Sequence, residues 1–163
     1  ASTEEQLKSA DVDELVKQLA ATPNRIRQLI GDPANDFRYR PSDGRFSVLE
    51  NICHLRDIEV EGYALRIKRI LEEDLPELPD IDGGRLALER DYNSQDLMTA
   101  LDTFAEARKA NVSRLRDIDP SELEKAGKLE GVGEVTLERL LEMMIEHDEG
   151  HLAELQILQR RLT

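Results

Sequence analysis

The chain has 163 residues, with 22 Lys and Arg against 35 Asp and Glu, a formal charge of −13 with histidine neutral. At roughly 100–200 residues per domain this is the length of one domain, able to bury a core without disulfide or metal staples. So negative a chain repels phosphate backbones and anionic headgroups, which disfavours nucleic-acid and membrane partners.

The lone cysteine, Cys53, has no internal partner, and no apolar run approaches the ~18 residues of a membrane span. Ala1-Ser2-Thr3-Glu4-Glu5 lacks the basic-then-apolar pattern of a signal peptide, which points to a cytoplasmic location. Aromatics make up 4% and Trp is missing, so the core is expected to be Leu, Ile, Val and Ala.

Apolar residues recur at helical spacing, and no strand is expected. The first helix is read from Asp11 to Ile30, facing inward with Leu15, Leu19, Ile26, Leu29 and Ile30. Pro23 lies inside it and predicts a kink or break; Gly31-Asp32-Pro33 stops it. A loop over Asn35 to Arg45 precedes the second helix, Phe46 to Glu73, with Ser47 as N-cap and Glu50 closing a capping box. Its stripe is Leu49, Ile52, Cys53, Val60, Tyr63, Ile67, Ile70 and Leu71. The acidic stretch Leu75 to Gly84 is too long for a simple antiparallel turn and reads as a crossover.

A short helix is expected over Arg85 to Tyr92. Asn93-Ser94 then cap a third long helix, Gln95 to Ile118. Residues Ser121 to Glu134 form a glycine-containing connection. The last helix, Val135 to Leu162 with a cap near Thr136, has the most regular stripe of all: Leu137, Leu140, Leu141, Met144, Leu152, Leu155 and Leu158. The fold class is therefore all-α, a four-helix bundle with long crossover connections, in a single domain over residues 1–163.

The three histidines are His54, His147 and His151. His147 and His151, four residues apart, put their imidazoles one turn apart on one helix face, close enough to share a metal ion. That face is the apolar one, shared with Leu140, Met144 and Leu158, and a buried imidazole is costly unless its nitrogens find partners. A seam carbonyl or carboxylate is one such partner, a metal the other. Asp148 stands where a zincin needs Glu, and no ligand follows at the metzincin spacing, so a metalloprotease is disfavoured. His54 lies in a row with Glu50, Ile58, Glu61 and Leu65, where two helices can meet. Added to the pair, it makes a three-nitrogen set with a position left for water, the form of catalytic zinc sites. Assigning every histidine of the chain to one site favours metal ligation.

Phe46-Ser47-Val48-Leu49-Glu50-Asn51-Ile52-Cys53-His54-Leu55-Arg56-Asp57-Ile58-Glu59, followed by His147-Asp148-Glu149-Gly150-His151-Leu152-Ala153-Glu154-Leu155-Gln156-Ile157, resembles the DinB-like (YfiT-like) superfamily of metal-binding four-helix bundles. The resemblance spans the chain. It implies a divalent metal ion, zinc or nickel, held by His54, His147 and His151, and commonly a homodimer. Members include metal-dependent thiol S-transferases, a mycothiol-dependent isomerase and hydrolases, which implies a small-molecule substrate such as a low-molecular-weight thiol. Two departures are Phe46, where such sequences often have Trp, and Gly150 within the metal helix, which costs about 1 kcal/mol of helix propensity relative to Ala.

Glu50 and Glu61 share the row of His54, so either could orient an imidazole or act as general base; the alternative is a solvated carboxylate. Asp148 is a similar case. Cys53 adjoins His54 but points about 100° away onto the apolar stripe, and reads as an inert core thiol. Arg66, Lys68 and Arg69, with Arg38, Arg40 and Arg45, are either receptors for an anionic substrate or ordinary surface charges. Two functions are consistent with these residues. One is a metal-dependent transferase of the thiol S-transferase type, or a hydrolase, acting at the three-histidine site. The other is a non-catalytic metal-binding or structural, stress-associated bundle.

Overall fold

The computed structural model describes residues 3–31, 36–41 and 44–162. The stop expected at Asp32-Pro33 and part of the loop over 35–45 lie outside them. Helix α1 spans Thr3–Ile30 and continues unbroken past Pro23. A proline has no N–H, so the carbonyl four residues earlier, that of Leu19, loses its helical partner. Arg108 replaces it, donating from Nη1 to the Leu19 oxygen at 3.0 Å. The expected break is absent because a side chain from another helix supplies the missing donor.

Helix α2, Val48–Asp57, starts at Ser47 with the expected capping box to Glu50. It then passes into a π-helical stretch, Ile58–Tyr63, and resumes as α3, Ala64–Glu72. The N–H of Ala64 bonds to the carbonyl of Glu59, the i to i−5 pattern of a π-helix. This wider turn shifts the phase of everything beyond Ile58. Val60, expected in the core, is 45% exposed, while Glu59 beside it is 1% exposed.

Helix α4 is Gly83–Glu89, capped by Asp82. Helix α5, Leu97–Arg116, is capped by Asp96 rather than by the expected Asn93-Ser94, which form part of a 3₁₀ turn, Tyr92–Ser94. Helix α6 is Leu137–Leu162, and Thr136 Oγ1 accepts from the N–H of Arg139 as a cap should. The four layers are α1, α2 with α3, α5 and α6. Helices α1 and α2 each pack on both α5 and α6.

Where no strand was expected, the two long connections pair. Strand β1 (Glu77–Leu78) runs parallel to β2 (Ala126–Leu129), and β2 runs antiparallel to β3 (Gly133–Thr136). Segments this short and diluted with glycine carry no readable alternation. Gly127 packs closely here: a Cβ would lie 2.7 Å from Leu78 Cδ1, so that side chain would have to shift.

The apolar core has two halves. One gathers Val16, Leu19, Tyr63, Ile67, Val112, Leu140 and Met144, the other Ile26, Leu49, Ile52, Phe104, Leu152 and Leu155. Between them, on every helix layer, lies a polar level: Thr22 on α1, His54 and Glu59 on the second layer, Arg108 and Asn111 on α5, and His147, Asp148 and His151 on α6.

Candidate metal centre

His54 comes from the last turn of α2, and His147 and His151 from adjacent turns of α6. The Nε2 of His147 lies 3.2 Å from Nε2 of His54 and 3.2 Å from Nε2 of His151. Nitrogens held at 2.0–2.1 Å by a tetrahedral zinc ion stand roughly 3.3 Å apart, so the observed spacing fits one shared ion. The three are also the described residues whose donor atoms cluster within 4.8 Å of one another. Each of the three residues is partly buried.

Burial disfavours the imidazolium, and the neighbouring imidazoles add to the effect. His147 is pushed down to about 4, and His151 to about 3; His54 is also lowered by burial. At neutral pH all three rings are neutral, the state a metal ligand requires.

Asn51, which the sequence reading passed over, orients one of the three imidazoles. Its Nδ2 donates to the carbonyl of Ser47 at 2.9 Å, which turns its Oδ1 toward His151 Nδ1 at 2.7 Å. An amide oxygen only accepts, so Nδ1 carries the proton and Nε2 keeps its lone pair for the centre. The Nδ1 atoms of His54 and His147 are buried without a hydrogen-bond partner. Over the His54 ring lies Gly83, the first residue of α4, where a Cβ would sit 2.5 Å from Cε1 and 2.6 Å from Nδ1. Phe46 stacks obliquely on His54 at 5.9 Å, and Tyr63 meets His147 edge-on at 6.0 Å.

The two carboxylates expected beside His54 have other partners. Glu50 caps α2 through Ser47 and takes a two-pronged bond from Arg40, at 2.8 and 3.0 Å. Those bonds hold its carboxyl below the usual range against the opposing effect of burial. Glu61 lies within the π-helical stretch and pairs with Arg90, which also reaches Asp57. Neither is a hydrogen-bond partner of an imidazole. Asp148 is not solvated: it is 2% exposed and bonded to Thr22 and Arg108. Cys53 is fully buried, and burial pushes its thiol up to about 11, as a core reading requires.

Among the arginines considered as anion receptors, Arg66 is buried, lies over the Tyr63 ring at 5.5 Å and donates to the Pro79 carbonyl. Arg69 pairs with Glu73, and Arg38 with the carbonyls of Asn93 and Gln95. These are structural pairings. No described helix is long and apolar enough to cross a membrane.

A family model for the DinB superfamily matches residues 6–155. A protein of Oceanobacillus iheyensis, provisionally named a metal-dependent hydrolase, is 26% identical over 153 residues, covering 92% of this chain and 87% of that protein. Among solved structures, YfiT from Bacillus subtilis, described as a probable metal-dependent hydrolase with an unusual four-helix bundle topology, superposes with a TM-score of 0.83 at 21% identity. That match covers 99% of this chain and 89% of YfiT, and it is a likeness of fold.

Proposed function

The chain belongs to the DinB superfamily, and from that premise we propose that it is a metal-dependent hydrolase of small molecules, its divalent ion, zinc or nickel, held by His54, His147 and His151. The observation that carries this reading is the convergence of three Nε2 atoms, that of His147 lying 3.2 Å from each of the other two. A divalent ion supplies Lewis-acid polarisation and lowers the pKa of a nucleophile brought to it.

The chain's own residues do the rest. Three protein nitrogens leave room for an exchangeable partner, where a closed structural site would have a fourth protein ligand. Asn51 fixes the His151 tautomer, and burial keeps the rings unprotonated. Gly83 admits backbone right up to the His54 ring, closing one side of the centre to bulk water. The names of the relatives favour water as acceptor. A low-molecular-weight thiol is the other nucleophile such a centre activates, giving S-transfer. Homodimer assembly belongs to the same proposal.

The test is a panel of ester, amide and lactone substrates, run with and without added thiols. The wild-type protein is stripped by chelator and reloaded with zinc or nickel. Turnover that disappears on stripping and returns on reloading supports the proposal. A reloaded protein inert toward the whole panel, or turnover indifferent to chelator, favours the non-catalytic bundle.

A further inference from the structure

The most heavily buried charges of the described chain lie beside the histidines and are used by none of them. Arg108 is 1% exposed, Glu59 1% and Asp148 2%. A guanidinium has five N–H donors, and here every one is engaged. Nε and Nη2 donate to the two oxygens of Glu59 at 2.9 and 2.8 Å. Nη1 and Nη2 donate to the two oxygens of Asp148 at 2.7 and 2.9 Å. The remaining Nη1 hydrogen goes to the Leu19 carbonyl that Pro23 leaves unpaired. Asn111 adds a bond to Glu59 at 2.8 Å and Thr22 one to Asp148 at 2.7 Å.

Stability alone does not account for this cluster. Desolvating three charges is costly, and well-packed apolar side chains of similar volume commonly serve a core as well or better. The chain also breaks a local rule to build it. Glu59 enters the interior from a π-helical stretch, and Val60 beside it faces solvent. Departures of this kind accompany function.

What the cluster connects is specific. Glu59 lies on the helix that carries His54, five residues further along, and Asp148 immediately follows His147. Arg108 therefore ties the two ligand-bearing helices to each other through α5, one fork of bonds to each.

We propose that Glu59, Arg108 and Asp148 are positioning residues for the three-histidine centre: their ion network sets the separation and rotation of α2 and α6 at which the Nε2 atoms converge. This rests on the metal reading above. A fork-to-fork contact resists both sliding and rotation, because a displacement of either helix breaks two parallel bonds together. The network carries two negative charges and one positive, so it also leaves a net negative charge in the interior near the site of a cation.

The test uses cobalt(II) as the probe on full-length protein, comparing wild type with Glu59→Gln, Arg108→Lys and the remote core variant Leu123→Ala. Glutamine keeps the shape of Glu59 without its charge, and lysine keeps the charge of Arg108 without the fork. Folding is confirmed by far-UV circular dichroism, and affinity is read by competition with a chromophoric chelator. Wild type is expected to show a cobalt ligand-field band. Glu59→Gln and Arg108→Lys should bind at least tenfold more weakly, with a shifted or weakened band, while Leu123→Ala loses thermal stability but keeps the wild-type affinity and band. Two folded network variants with wild-type affinity and band would overturn this inference and leave the metal reading standing. The same holds if Leu123→Ala loses affinity alongside them, since the effect would then follow stability. A wild type without a cobalt band overturns the metal reading itself, and this inference with it.

Discussion

Asn51 Oδ1 accepts from His151 Nδ1 at 2.7 Å, and the orientation of that amide is set by its own bond to the Ser47 carbonyl. The N-cap of α2 is thereby linked to a ligand on α6. Removing the acceptor frees the ring to rotate or to change tautomer. Asn51→Ala is therefore expected to weaken zinc binding about 10–100-fold, measured by chelator competition. Unchanged affinity would show that the packing of α6 alone holds His151.

Two glycines separate packing from propensity. Gly83→Ala drives a methyl into the His54 ring, at 2.5 Å from Cε1, so either the imidazole or the start of α4 must move. Metal affinity is expected to fall on the order of tenfold. Gly150 has open space around its Cβ position and lies within α6. Gly150→Ala should instead stabilise the helix by about 1 kcal/mol, raising Tm by about 2–4 °C with metal affinity unchanged. Thermal melts and chelator titrations of the two variants check both halves.

The metal-free protein should lose stability in acid through its histidines. Burial holds His147 at about 4 and His151 at about 3 against an ordinary value of 6.5. Between those limits the unfolded chain binds protons that the folded chain refuses, so stability is fully present above pH 6.5 and falls as pH drops toward 3. Urea midpoints of the chelator-treated protein across this window are expected to decline for wild type and less steeply for His151→Gln. Equal slopes would mean that carboxylates account for the whole effect.

Cys53 is expected to be silent toward Ellman's reagent in the native protein at pH 8 and to react on unfolding, because its thiol is buried and held up at about 11. Prompt native reaction would contradict the packing described for α2.

The bundle and the grouping of its three histidines were legible because both rest on strong local signals. The stripe of α6 is regular enough to place His147 and His151 on one inward face, and the Ser47 and Glu50 capping box marks where α2 begins, fixing the phase of His54 over a short distance. What was not legible lies beyond interruptions of the period. The π-helical stretch inserts itself without a proline or glycine signal at its start, so counting forward from His54 reached Val60 and Glu61 and passed over Glu59, while Tyr63, Ile67 and Ile70 are buried as expected. Pro23 reads locally as a break, and only Arg108, far along the chain, removes the reason for one. Asn51 and Gly83 act through partners distant in sequence, and a lone Asn or Gly carries no mark of that. The small sheet is a product of crossing connections, with strands of two to four residues.

The most direct measurement of the central claim is metal content by elemental mass spectrometry on tag-free protein, wild type beside His54→Ala and His147→Ala, after reconstitution with zinc and with nickel. The expected result is about one tight equivalent per chain in wild type and its loss in both variants, since each removes one of the three clustered imidazole nitrogens. Wild-type protein that retains no metal, or a His54→Ala variant that binds as tightly as wild type, would contradict the shared three-histidine centre.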